Sequence, residues 1–198
     1  MTSIHGNNQS VFASGRKPLV ALYRGKSVVS RLIRWQTRSQ YSHAALLLPN
    51  GSVLESWHRG GVSHNHGLGA CHTPGTEVDL FAVESSKGFA LVDWARTLDF
   101  AFAQIGHTYD YRSVARFLSR RAEKADGKWF CSELVFAAIK AGGLDLLANT
   151  SADRVAPGHL AWSPFLRFVE TREASLEYPR NEWDEEDLMG RMKEGAFA

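Results

Sequence analysis

Trp129-Phe130-Cys131-Ser132-Glu133-Leu134-Val135-Phe136-Ala137-Ala138-Ile139-Lys140-Ala141-Gly142-Gly143 is the stretch from which the fold is read. Cys131, Leu134, Val135 and Ala138 recur at helical spacing, and the paired glycines are a stop signal. The run therefore predicts a helix that begins at Cys131, entered through a turn at Asp126-Gly127-Lys128. A helix N-terminus carries about half a positive charge and unpaired N–H groups. Both favour thiolate over thiol and can hold a developing oxyanion. The same spacing also suits a small buried apolar residue, the common fate of a free cysteine. On this stretch alone both readings of Cys131 stand.

A thiol nucleophile needs a base, and the base needs a group that fixes its tautomer. Of the eight histidines, His43 opens the apolar run His43-Ala44-Ala45-Leu46-Leu47-Leu48. Pro49-Asn50-Gly51-Ser52 follows, then Val53-Leu54-Glu55-Ser56-Trp57, which together predict a hairpin. Glu55 is the candidate orienter, and side-chain parity decides whether it can serve. A two-residue loop sets Leu46 opposite Glu55 and turns His43 to the other face. A three-residue loop centred on Asn50 sets Ala45 opposite Glu55, with His43 on the same face at a diagonal of about 7–8 Å. The alternatives to these roles are a strand-end histidine bonded to a loop and an exposed strand carboxylate.

Further out, Lys17–Arg24 predicts a strand, and Ser27–Arg38 a basic amphipathic helix with Ser27 as N-cap. Residues 59–76, rich in glycine and histidine, read as a loop. Glu77–Val83 reads as a strand and Phe89–Gln104 as a helix. Ser113–Lys124 reads as a basic helix. After irregular pieces near Pro157 and Pro164, a strand is expected at Phe165–Val169. The domain expectation is a flexible lead-in over 1–15, one catalytic domain over 16–170, and an extension or tail over 171–198.

The chain has 198 residues, 44% apolar, 22% charged, with a net charge of +2. That charge is too small to argue for nucleic acid or an anionic surface as partner. No stretch approaches the roughly 18 apolar residues of a membrane span. Two cysteines make no disulfide scaffold. With no export signal at Met1–Gly15, the expectation is a cytoplasmic protein, or one released by lysis or another export route. His64, His66, Cys71 and His72 hold metal-ligating atoms, but their irregular spacing completes no known pattern. No metal site and no cofactor are therefore expected, and oligomeric state is left open.

Several words now line up: Arg24-Gly25-Lys26-Ser27, Tyr41-Ser42-His43, Val53-Leu54-Glu55, Gly106-His107-Thr108-Tyr109-Asp110, Phe130-Cys131-Ser132-Glu133-Leu134-Val135, and Val155-Ala156-Pro157-Gly158-His159-Leu160. In this order, over roughly residues 19–166, they resemble the circularly permuted branch of the NlpC-type papain-like cysteine hydrolases. That group includes YiiX- and YaeF-like bacterial proteins and is related to lecithin:retinol acyltransferase. The resemblance implies an α+β papain-like fold, with an antiparallel sheet or small barrel packed against helices and the cysteine at a helix N-terminus. It implies Cys131 as nucleophile, His43 as general base and then acid, and Glu55 as the polar third residue. It also implies Tyr109, with Tyr41 and Ser132, as substrate-binding residues. The implied activity is cleavage of an amide in a peptide, such as cell-wall peptide, through a thioester. A thiol acyltransferase or lipid hydrolase using the same thioester is the alternative, and it calls for an exposed apolar surface flanking the cleft. A non-catalytic binding protein on the same scaffold is the third.

Overall fold

A computed structural model describes residues 17–58, 60–84, 92–109 and 128–175. The expected lead-in over 1–15, the basic helix over 113–124 and all but residues 171–175 of the extension or tail over 171–198 lie outside the described residues. Five strands and one late strand form a single antiparallel sheet: β1 (Leu19–Arg24), β2 (His43–Leu47), β3 (Ser52–Trp57), β4 (Gly61–His66), β5 (Glu77–Val83) and β8 (Leu166–Glu173), in the order β4-β3-β2-β1-β5-β8. Helix α1 (Val28–Thr37) links β1 to β2, capped by the Ser27 hydroxyl, which accepts from the Ser30 N–H at 3.1 Å. Helix α2 (Trp94–Ala103) starts at the Asp93 cap. Short strands β6 (Thr108–Tyr109) and β7 (Lys128–Trp129) pair in parallel and lead into helix α3 (Cys131–Ala141). Helix α4 (Pro157–Leu160) follows.

Strand alternation divides the sheet into two buried faces. One face carries Val20, Leu22, Ala44, Leu46, Leu54 and Phe81, packed against Leu98 and Ala101 of α2 and Leu134, Val135 and Ile139 of α3. The other carries Ala21, Tyr23, Ala45, Leu47, Val53 and Leu80, closed by Leu68 and Ala174. Both faces of β2 are therefore buried, which is why its sequence is an unbroken apolar run.

The loop read over 59–76 is in part a strand. Residues 61–66 have one large apolar side chain and strand-disfavouring Gly and Asn, so propensity is weak there. Pairing settles it: β4 is hydrogen-bonded to β3 from Ser52↔His66 to Trp57↔Gly61, and on its outer side Val62 exchanges backbone bonds with Gly106 and His107. Gly61 is at φ +68°, and a Cβ there would lie 2.0 Å from the His107 carbonyl oxygen, so only glycine fits.

Candidate active site

The hairpin decides the site. Ala45 pairs with Glu55, Leu46 with Leu54 and Leu47 with Val53. This is the register of the three-residue loop around Asn50, with Gly51 at φ +83°. His43 and Glu55 thus share a face, and the long carboxylate closes the diagonal. His43 Nε2 lies 2.6 Å from Glu55 Oε2, and both residues are buried. Asn65 Nδ2 donates to the other carboxylate oxygen at 2.9 Å. The His43 ring stands edge-on to Tyr23 and Trp57, at centroid distances of 5.2 and 5.0 Å.

Burial pushes the His43 pKa below its ordinary value, against the pull of Glu55. Burial also opposes ionisation of Glu55. The hydrogen bonds from His43 and His72 nevertheless outweigh it, and the carboxyl is held well below the usual carboxylate range. The pair is therefore a neutral imidazole facing a carboxylate. With Nε2–H donated to Glu55, the lone pair sits on Nδ1, the nitrogen available as a base.

Cys131 is the first residue of α3, with Phe130 extended at the N-cap and the Leu134 N–H bonded to the Phe130 carbonyl at 3.0 Å. The approach to the helix is tied to the hairpin: Ser56 Oγ, next to Glu55, donates to the Trp129 carbonyl at 2.7 Å. The backbone N–H groups of Ala44, Ser132 and Cys131 itself point at the sulfur. Ala44 follows His43 directly, so the thiol is seated against the strand end that carries the imidazole. The sequence expectation of a thiolate needs correction. Burial raises the Cys131 pKa to about 12, and this outweighs the three N–H donors. Cys131 therefore rests as a thiol.

Tyr109 pairs with Trp129 across β6 and β7 and forms a small buried cluster with Phe130 and Cys131. Its ring centroid is 5.7 Å from that of Phe130. Ser132 Oγ donates to the Val155 carbonyl at 2.5 Å, so its hydroxyl is turned into the core and only its backbone N–H faces the sulfur. Tyr41 is also buried, with its hydroxyl 2.7 Å from Asp79. It lines a groove of about 530 Å³ with Arg38, Asp79, Gly158, Trp162 and Phe168, whose walls include none of Cys131, His43 and Glu55.

The histidine-rich stretch divides in two. His64 lies on the α-helical face, 2.7 Å from Ser52 Oγ and edge-on to Phe102. His72 crosses to the opposite face: its Nε2 lies 3.4 Å from Glu55 Oε2, and its ring stacks on Tyr23 at 3.9 Å and 15°. The loop carrying it is pinned to the end of β8 by Gly69 N–H to the Ser175 carbonyl and Ala174 N–H to the Thr76 carbonyl. His72, Asn65 and Tyr23 thus belong to the site and were not singled out in sequence for it. Asn65 and Tyr23 had a readable signal in strand parity once β4 and β1 are aligned. For His72 there was none, because a loop fold places it.

No protein-family model matches the chain, and no curated protein matches it in sequence. In structure the chain is similar to a solved protein, the metalloprotein yiiX from Escherichia coli O157:H7, with a TM-score of 0.56 and 17% identity, covering 79% of this chain and 97% of that chain. At this identity the likeness speaks for the fold: a mixed α+β protein with a six-stranded antiparallel sheet packed against helices, consistent with the YiiX-like fold.

Proposed function

We propose that this chain is a cysteine hydrolase of the permuted papain-like type, with Cys131 as nucleophile, His43 as base and Glu55 as orienter. The observation that carries the reading is the buried His43–Glu55 pair at 2.6 Å on the strand whose next N–H, that of Ala44, faces the Cys131 sulfur. In the first step Nδ1 of His43 takes the thiol proton as the sulfur bonds to the substrate carbonyl carbon. The backbone N–H groups of Cys131 and Ser132 are suited to hold the oxyanion. The oxyanion then collapses, the C–N bond breaks, and the imidazolium gives its proton to the leaving amine. Water, deprotonated by the same ring, attacks the thioester. The acid leaves and the thiol regains its proton.

An amide in a peptide, cell-wall peptide included, is the first substrate class. An acyl lipid is the second, and one observation favours it. Helix α1 exposes Val28, Val29, Leu32 and Trp35, with Trp35 74% exposed, and Arg31 and Arg34 lie beside them. Trp162, 70% exposed, and Phe168 rim the groove at Tyr41. Exposed apolar side chains of this kind suit an enzyme working at a lipid boundary, here around a groove separate from Cys131, His43 and Glu55. Among the described residues no helix is long and apolar enough to cross a membrane.

The yiiX neighbour is called a metalloprotein. Among the described residues, His43, Glu55 and His72 are grouped so that they could hold an ion.

The test is intact-mass analysis of the full chain after incubation with cell-wall peptide fragments or with phospholipid vesicles. The expected result is an acyl adduct on Cys131 with turnover, both abolished in Cys131→Ala. Turnover that survives Cys131→Ala would overturn the reading. An adduct from phospholipid without peptide cleavage selects the lipid branch.

A further inference from the structure

His72 is not used by the mechanism above, yet it is almost fully buried against the two residues that are. The Nε2 atoms of His43 and His72 both converge on Oε2 of Glu55, at 2.6 and 3.4 Å, and one ligand atom from each of the three side chains lies within 4.8 Å of the others. A carboxylate and two imidazole nitrogens are a zinc-type ligand set. With metal–ligand bonds of about 2.0–2.2 Å, tetrahedral neighbours sit about 3.3–3.6 Å apart. The His72–Glu55 separation already has that value, and the His43–Glu55 pair needs to open by a fraction of an ångström.

Two further features point the same way. The second oxygen of Glu55 is held by Asn65 at 2.9 Å, the outer contact that fixes a ligating carboxylate. Tyr23 is wholly buried against both histidine rings, stacked on His72 and edge-on to His43, and its hydroxyl has no hydrogen-bond partner among the described residues. A buried phenol O–H without a partner is costly, and a water or hydroxide completing a coordination shell would accept from it.

We propose that His43, Glu55 and His72 form a binding site for a divalent transition-metal ion of the zinc class, and that occupancy switches the thiol chemistry off. The inference rests on the hydrolase reading for its second half only. Coordination through Nε2 moves the single ring proton of neutral His43 to Nδ1, so no net proton is released. Nδ1 then has no lone pair for the Cys131 proton, and Glu55 is no longer free to orient the ring. Metal binding and base function use the same atoms and exclude each other.

The experiment uses the full chain, stripped with EDTA and desalted, titrated with Zn²⁺ by calorimetry and with Co²⁺ by its visible absorption, alongside iodoacetamide labelling of Cys131. We expect one ion per chain. His72→Ala and His72→Gln should weaken binding by at least about 100-fold with the fold retained by circular dichroism, and Tyr23→Phe by about 10-fold. Cys131→Ala and His64→Ala should bind as the parent does. Zn²⁺ should slow labelling of Cys131 in the parent and leave the rate unchanged in His72→Ala. A folded parent that binds no stoichiometric ion overturns the proposal. So does binding that survives both His72 variants, or that is lost in Cys131→Ala. If instead the hydrolase reading fails, stoichiometric binding persists while Zn²⁺ leaves the labelling rate of Cys131 unchanged and no acyl adduct forms on it, so the two failures are told apart.

Discussion

Two buried carboxylates stand on the same sheet, Glu55 on β3 and Asp79 on β5, and their partners differ in kind. Asp79 is met by the Arg24 guanidinium, the Tyr41 hydroxyl at 2.7 Å and the Thr171 hydroxyl at 2.6 Å. None of these groups changes charge near neutral pH. Glu55 is met by two imidazoles and an amide. An imidazole can carry its proton on either ring nitrogen and offer a lone pair from the other. Asp79 joins β1, β5, β8 and the segment before β2, so its partners answer for structure. Glu55 joins groups whose protons and lone pairs are movable, the requirement for a site. Burial alone does not separate the two, because both side chains are nearly inaccessible.

The contrast can be broken by exchanging what each carboxylate does. The largest effect is expected at the imidazole pair. Glu55→Gln presents an amide N–H to Nε2, which forces the ring proton to Nδ1. Turnover, or labelling by an acyl-type thiol probe, should fall about 10²–10⁴-fold. The melting temperature should move little by comparison. Glu55→Gln with full reactivity would remove Glu55 from the orienting role. At the other carboxylate the outcome should be reversed. Asp79→Ala leaves Arg24 and Tyr41 without their acceptor and should cost about 3 kcal/mol of stability in urea unfolding, with the per-molecule labelling rate of Cys131 unchanged. A loss of reactivity without a loss of stability would place Asp79 in the chemistry instead.

Acid should discriminate further. The hydrogen bonds to Thr171, Tyr41 and Arg24 hold the Asp79 pKa below its ordinary value, although burial opposes this. A depressed carboxyl contributes stability at pH above its unfolded value of about 4, and that contribution is lost as pH falls toward the folded value. Between about pH 4 and pH 2 the parent should lose more stability than Asp79→Asn. Parallel curves would mean the carboxylate is not held by its partners.

Alkali gives a smaller, gradual signal from the thiol. Because burial raises the Cys131 pKa to about 12, its iodoacetamide rate should still climb through pH 9–10, with no plateau near neutrality. A plateau below pH 7 would indicate a preformed thiolate–imidazolium pair and a different first step. The mildest change concerns the turn that seats Ser42 beside His43. Gly25 N–H donates to Ser42 Oγ at 3.0 Å, and a Cβ at Gly25 would lie 2.3 Å from Ser30 Oγ. Gly25→Ala should cost about 1–2 kcal/mol in the same unfolding assay and slow labelling only a few-fold.

How far the molecule was legible from sequence follows from the range of each signal. The α3 helix from Cys131 to Ala141, the Ser27 cap of α1 and the strand Glu77–Val83 follow from local periodicity and capping chemistry, which neighbouring residues determine. The β4 strand was missed because its existence comes from a partner across the sheet. The choice of hairpin loop was narrowed by sequence to two registers, since side-chain period is two, and pairing of Ala45 with Glu55 picked one. The ionisation of Cys131 went against the local argument because the helix N-terminus acts over one turn, whereas desolvation depends on everything packed around the sulfur. By itself, then, the amino-acid sequence determined the elements and nominated Cys131, His43 and Glu55. Only the tertiary structure decided that Glu55 faces His43, that Cys131 rests as a thiol, and that His72 joins them, because each depends on contacts between segments that no local pattern encodes.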